Sequence, residues 1–241
     1  MTSRIALVTG GSRGIGAAIA VALKAAGHKV AVNYASDDKF AQAFSAETGI
    51  KAYKWDVGDF DSCARGHAQV VKDLGAIDIL VNNAGAVSEA KFENMTVEQW
   101  HRVIRIDLDS VFYMCKQVYP AMIEKRWGRI VNIGSMNGQA GQLNQVNYVA
   151  AKAGMHGFTK GLALEAAKYG ITVNNIAPGY LDTYMMRDAP ARIREKILDK
   201  SPVRRFGLPE EVAHAVLFLV DDKAAWTTGS TVTMNGGTHM Y

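Results

Sequence analysis

Cysteine is almost absent from this 241-residue chain, which has two. Cys63 and Cys115 lie far apart with no metal-like spacing. That excludes a disulfide-built scaffold and predicts two reduced thiols and no metal. Long apolar runs are missing as well. No stretch approaches the roughly 18 apolar residues of a membrane span. The opening run Ile5-Ala6-Leu7-Val8 stops at Thr9-Gly10-Gly11, too short for the apolar segment of a cleaved leader. Blocks of like charge are lacking too: 27 basic and 23 acidic side chains, a formal +4, are scattered along the chain. So mild an excess gives no ground for a nucleic-acid partner, but it suits attraction of a phosphate-bearing small molecule. There is no low-complexity tract, long linker or repeat. These absences predict a cytoplasmic protein with no membrane and no nucleic-acid partner. With 49% hydrophobic and 21% charged residues, the composition fits one globular domain over residues 1–241 with a full core.

What is present is alternation. Short β-rich runs stand at 5–8, 30–32, 52–55, 77–81, 129–133, 172–176 and 231–234. Helical stretches lie between them at 15–26, 39–47, 62–74, 97–125, 148–169 and 210–220. Apolar strands alternating with helices predict a single α/β domain, a Rossmann-like doubly wound parallel sheet of about seven strands with helices on both faces. Ligands of such sheets bind outside the carboxyl ends of the strands, at the switch point.

The first strand runs straight into Thr9-Gly10-Gly11-Ser12-Arg13-Gly14-Ile15-Gly16. Gly10 suits the tight turn, Gly14 lets backbone approach a pyrophosphate, and Gly16 lets the following helix pack close to the sheet. The helix start then offers free N–H groups and a partial positive charge to the phosphates. A dinucleotide is therefore expected. NAD sites usually place a carboxylate at the end of the second strand. Here that strand ends Val32-Asn33-Tyr34-Ala35-Ser36, with no carboxylate before Asp37. Arg13 in the turn could pair with a 2′-phosphate, and the hydroxyls of Ser12, Tyr34 and Ser36 could add hydrogen bonds. The cofactor expected is NADP(H).

Tyr148 and Lys152 are four apart at the start of a predicted helix, hence on one face. A free tyrosine has a pKa near ~10, and a neighbouring ammonium favours the phenolate. Ser135 follows the fifth strand, where its hydroxyl could polarise a carbonyl. With Thr9-Gly10-x-x-x-Gly14-Ile15-Gly16, Asn82-Asn83-Ala84-Gly85 and Pro178-Gly179, these residues resemble the short-chain dehydrogenase/reductases over the whole chain. The resemblance implies metal-free hydride transfer between NAD(P)(H) and a carbonyl/alcohol pair. It makes Tyr148 the general acid in reduction, has Lys152 assist it and hold the nicotinamide ribose, and has Ser135 orient the carbonyl. Asp56 and Val57 would meet the adenine. Asn83, Ala84, Gly85, Pro178 and Gly179 would line the cofactor, and Leu181 and Thr183 would meet its carboxamide. A homotetramer is implied.

In that family an asparagine usually stands in the long middle helix, and its backbone carbonyl holds a water that relays protons. Asp107 occupies the place here. The expectation is that Asp107 belongs to the catalytic group and that Asp107→Asn would keep most activity. Within the family, 137–148, Pro178-Gly179-Tyr180 and 235–240 are similar to the acetoacetyl-CoA reductases of polyhydroxyalkanoate synthesis. That likeness implies reduction to the (R)-3-hydroxy thioester, with Gln142, Gln145 and Tyr180 at the acyl chain; Ala86-Val87-Ser88-Glu89 departs from it, lacking the usual basic residue, and Glu89 is expected at the substrate in place of an aspartate. The partner expected is a small-molecule carbonyl, a CoA thioester. A lid is expected around 180–200, with Met185-Met186-Arg187 offering adaptable apolar surface. Three alternatives stay open: reduction of another small ketone, polyol or ring alcohol, reduction of a β-ketoacyl-acyl-carrier-protein, and a non-catalytic NADP(H)-binding sensor.

Overall fold

The computed structural model describes residues 3–240, except for the side chains of Tyr184 and Met185. Seven parallel strands form one sheet: β1 (Ile5–Val8), β2 (Lys29–Tyr34), β3 (Lys51–Lys54), β4 (Ile79–Asn82), β5 (Gly128–Ile133), β6 (Ile171–Pro178) and β7 (Thr231–Met234). Their order is β3-β2-β1-β4-β5-β6-β7. Register runs Leu7 against Ala31 on one side and Leu80 on the other. The strand order reverses between β1 and β4, the position where doubly wound sheets open a crevice at their carboxyl ends.

The helices are α1 (Gly14–Ala25), α2 (Asp38–Thr48), α3 (Phe60–Leu74), α4 (Val97–Ile104), α5 (Ser110–Lys125), α6 (Asn137–Ala140), α7 (Val146–Ala166), α8 (Tyr184–Arg187), α9 (Ala191–Lys200) and α10 (Pro209–Val220). The strands read as unbroken apolar runs because both faces are covered. Ala6 and Val8 pack with Ile19, Leu23, Val212 and Val216 of α1 and α10. Leu7 points the other way and joins Val70, Met114, Val118 and Met155 of α3, α5 and α7. This is the period of two expected of a strand.

Several details differ from the sequence expectation, among them the following. The stretch expected as one helix over 97–125 is α4 and α5 joined by a π-helical turn, Arg105–Asp109. Such turns insert a residue without ending the helix, and the apolar spacing continues through this one. β4 begins at Ile79 rather than residue 77, although Ile77 is still buried. The segment 180–200 is largely helical, as α8 and α9. Among the described residues no helix is long and apolar enough to cross a membrane.

Candidate active site

The glycine turn is braced from two sides. Thr9 Oγ1 accepts the Asn83 and Ala84 N–H groups, each at 3.0 Å. The Asn83 amide donates to the Thr9 and Gly10 carbonyls at 2.9 and 3.1 Å. Asn33 at the end of β2 accepts the Gly10 N–H at 3.3 Å and donates to Trp55 O at 2.9 Å. Gly10 has φ +60° and Gly14 φ +54°, the left-handed region that disfavours any side chain. A Cβ on Gly14 would meet nothing within 4 Å, whereas one on Gly16 would lie 2.5 Å from both Asn83 Nδ2 and Gly10 O. Gly14 therefore faces open space and Gly16 faces packed atoms. Helix α1 starts at Gly14, its N-cap Arg13 makes no side-chain cap, and its first turn carries no acid. Its leading N–H groups are thus left for an anion. That open, uncapped turn fits a dinucleotide pyrophosphate. Ile15 packs on the first core.

Around the adenosine end, Arg13 is two-thirds exposed and lies 4.0 Å from Asp37. Ser12 is buried at the turn. The Tyr34 hydroxyl donates to Asp38 Oδ1 at 3.0 Å, and Lys54 donates to the other Asp38 oxygen at 2.9 Å. The Tyr34 hydroxyl therefore points to a carboxylate, not freely toward a phosphate. Burial and the Asp38 hydrogen bond push this phenol above its ordinary value. Asp56 accepts the Gly58 N–H at 2.8 Å and sits 3.8 Å from Arg105, while Val57 is buried beside it.

The chemistry-bearing side chains converge between β5, α7 and the π-turn. Ser135 follows β5 and is buried, with its Oγ accepting the Asn137 N–H at 3.1 Å. Tyr148 is half-buried in the first turn of α7. Lys152 is one turn on, its Nζ 5.5 Å from the Tyr148 ring centroid. That ammonium donates to Ile133 O at 3.1 Å and pairs with Asp107 Oδ1 at 3.1 Å. Asp107 is fully buried, and its Oδ2 accepts the Ala86 N–H at 2.8 Å. Gly85 permits this approach, since a Cβ there would stand 2.7 Å from Asp107 Oδ1. Burial works against the Lys152 charge, but the Asp107 carboxylate and the Tyr148 phenol outweigh it and hold the ammonium above the usual lysine value. Burial likewise pushes the Asp107 carboxyl up, against the pull of Lys152 and the Ala86 N–H.

Other residues that set this geometry were given no site role by the sequence. The fully buried Asn147 donates to Ser88 O at 3.0 Å and Gln99 O at 3.2 Å, tying the start of α7 to the loop after β4 and to α4. Gly138 lets α6 cross α7, for a Cβ there would lie 2.8 Å from the Lys152 backbone. Asn82, Asn132 and Thr159 form a buried chain at 2.9 Å per link that fixes α7 to β4 and β5. Asn82, the first residue of the Asn82-Asn83-Ala84-Gly85 motif, and Asn147, the polar residue beside Tyr148, gave sequence signals that could have been followed.

On the substrate side, Gln145 Nε2 donates to Glu89 Oε1 at 2.6 Å, and its carbonyl accepts the Asn137 amide at 3.1 Å. Gln142 lies exposed in the loop before α7. Pro178 ends β6, and Gly179 passes so close to Asn235 that a Cβ would lie 2.8 Å from its Cα. Leu181 is buried and bridges to Gly207. The Thr183 carbonyl accepts the Met186 and Arg187 N–H groups at the start of α8. Tyr180 is half-buried, and burial together with the Glu89 charge raises its phenol. Tyr180 and Leu181 line a cavity of about 270 Å³ with Ile197, Phe206 and Met234, and none of Ser135, Tyr148 or Lys152 lines it. The expected Met185 contact falls on a side chain outside the described residues. Among the described residues no group of His, Cys, Asp and Glu could hold a metal.

Known proteins resemble this chain over nearly its whole length. A family model described as Enoyl-(Acyl carrier protein) reductase matches residues 10–239. The chain is 57% identical to an acetoacetyl-CoA reductase of Rhizobium meliloti over 98% of both chains. It is 55% identical to an acetoacetyl-CoA reductase of Shinella zoogloeoides, again over 98% of both. To a 3-oxoacyl-[acyl-carrier-protein] reductase of Escherichia coli it is 45% identical over 98% of both.

Proposed function

The chain belongs to the short-chain dehydrogenase/reductase family, oxidoreductases of a ketone/alcohol pair with a nicotinamide cofactor, and from that premise we propose that it reduces acetoacetyl-CoA to (R)-3-hydroxybutyryl-CoA with NADPH. The observation that carries the reading is the seat of the Lys152 ammonium. It is anchored 3.1 Å from the Ile133 carbonyl, two residues before Ser135, and faces the Tyr148 ring. The bound cofactor supplies the hydride. Ser135 donates its hydroxyl to the carbonyl oxygen and orients it, while Tyr148 delivers the proton as that oxygen gains charge. Lys152 keeps a positive charge beside the phenol, which favours loss of that proton, and would hold the nicotinamide ribose. Asp107 holds Lys152 in that seat.

The open turn at Gly14 and the uncapped start of α1 would take the pyrophosphate, and the exposed Arg13 a 2′-phosphate. The thioester substrate is supported by the names of the close relatives and by the Glu89–Gln145–Asn137 chain, which presents polar groups beside Ser135. The one-domain organisation, the cytoplasmic setting and a role in supplying polyhydroxyalkanoate synthesis belong to the same reading. So does a homotetramer: Leu164 on α7 is 84% exposed and Trp226 is 99% exposed, large apolar groups suited to contact with further copies of the chain.

The deciding experiment compares oxidation of NADPH and NADH with acetoacetyl-CoA, an acetoacetyl-acyl-carrier protein and a panel of free ketones. The reading expects kcat/KM to be highest for NADPH with the CoA thioester. It also expects Arg13→Ala to erode the NADPH preference at least tenfold. A free ketone or the carrier-protein thioester turned over more efficiently than acetoacetyl-CoA replaces the substrate assignment. Equal use of NADH removes the cofactor assignment.

A further inference from the structure

We infer that Asp107 is a positioning residue whose carboxylate, through an ion pair on one oxygen and a hydrogen bond on the other, locks the Lys152 ammonium and the Ala86 turn to one another across the catalytic group. The inference rests on the catalytic reading of Lys152 given above. Two groups converge on this side chain from separate elements: Lys152 Nζ from α7 at 3.1 Å on Oδ1, and the Ala86 N–H from the loop after β4 at 2.8 Å on Oδ2. Both are donors and neither can accept. A carboxylate brings two acceptor oxygens and no hydrogen, whereas an asparagine amide brings one acceptor and one two-hydrogen donor. In either orientation, an amide here would set its NH2 against a buried donor. In both orientations the neutral amide would also leave an ammonium only 3% exposed without its counter-charge, which is strongly unfavourable in a protein interior. This geometry gives reason against the expectation that Asp107→Asn keeps most activity.

The surroundings leave the bridge no substitute. The groups facing the ammonium are Asp107 from the π-turn, Ile133 O from β5 and the Tyr148 ring from its own helix, with His156 one turn farther along α7. Asp107 is the one anion among them. With the carboxylate in place the ammonium stays charged above the ordinary lysine range: burial works against the charge, and Asp107, followed by the Tyr148 phenol, outweighs it. Gly85 is the wall that lets the carboxylate reach this far, and through Ala86 the same carboxylate pins the start of the segment that carries Ser88 and Glu89. One side chain thus sets both where the lysine charge sits and where the substrate-side loop begins.

The test uses the full-length protein without cofactor as well as the working enzyme. In Asp107→Asn the Lys152 ¹³Cε resonance should titrate at lower pH than in wild type, and the Ala86 amide should exchange at least tenfold faster. In turnover, kcat should fall at least tenfold, with the alkaline limb of its pH profile moved to lower pH and KM for NADPH within threefold of wild type. A folded Asp107→Asn with unchanged Lys152 titration and Ala86 exchange overturns the bridge. Wild-type protein gives a check that needs no variant to fold: the Lys152 titration midpoint should lie above its ordinary value of 10.5, and a midpoint at or below that value overturns the inference. If wild type turns over no carbonyl while both spectroscopic results appear, the activity proposed above fails and the bridge stands.

Discussion

The Gln145 amide donates to the Glu89 carboxylate at 2.6 Å, joining the loop before α7 to the loop after β4 across the substrate side of the site. The other end of the same amide holds Asn137, whose backbone N–H caps Ser135 Oγ. A hydrogen bond to a charged group contributes about 1.5–3 kcal/mol, less where solvent reaches it. Glu89→Ala should therefore loosen Ser135 without touching the cofactor turn. We expect kcat for acetoacetyl-CoA to fall roughly three- to tenfold at an unchanged dissociation constant for NADPH. Steady-state kinetics and a fluorescence titration decide it, and an unaltered kcat would leave the chain without a catalytic part.

Tyr148→Phe removes one oxygen and keeps the ring that packs near Lys152. Loss of a positioned general acid costs a factor on the order of 10²–10⁴ in rate. Turnover should drop by at least that lower bound while NADPH binding stays within threefold. A variant with more than a tenth of wild-type kcat would reassign the proton donor.

Gly14 and Gly16 should respond differently to the same change. Gly14→Val meets open space but must hold φ +54°, a conformation that costs a side chain about 1–2 kcal/mol, and its methyls would project where the phosphates are proposed to sit. It should fold with modestly reduced stability and bind NADPH at least tenfold more weakly. Gly16→Val would drive a Cβ to 2.5 Å from Gly10 O, so urea midpoints should show a much larger loss of stability. Equal effects of the two on both readouts would contradict the distinct roles of open turn and packed helix.

Glu211 carries a pH-dependent stability. Its carboxylate accepts both arms of Arg205 and the Leu208 N–H at the start of α10. Arg205, first, and the backbone bond, second, hold its pKa down at about 2. A depressed acid pKa stabilises the fold above the unfolded value, and the contribution is lost as pH falls through the folded one. The pair is well exposed, at 52% and 40%, so Glu211→Gln should lower stability at pH 7 by only about 1 kcal/mol. The gap from wild type should close as pH drops from the ordinary 4.5 toward about 2. Urea unfolding at pH 7 and pH 3.5 measures it, and a gap that widened on acidification would refute the assignment.

Much of the fold was legible because its signals are local. The apolar runs at 5–8 and 129–133 needed only their composition to be read as strands buried on both faces, and Ala6, Leu7 and Val8 do divide between two cores. The π-turn at Arg105–Asp109 was not legible, because inserting one residue into a helix changes neither its composition nor its apolar spacing enough to show. Asn83 and Tyr34 stand in the expected places, yet their polar atoms are engaged with Thr9, Gly10 and Asp38. A motif names a residue, but it does not say which partner its side chain takes.

From its order of residues alone this chain determined a parallel sheet with a glycine turn after β1 and a tyrosine and lysine on one face of α7, since strand alternation, helix periodicity and backbone freedom all act over a few neighbouring residues. Only the tertiary structure decided that Lys152 would meet a carboxylate from the π-turn and a carbonyl from β5, and that Ala86 would share that carboxylate. Those contacts join residues more than 15 positions apart. Burial, which makes an unmatched donor or charge so unfavourable, exists only once the layers have closed around them.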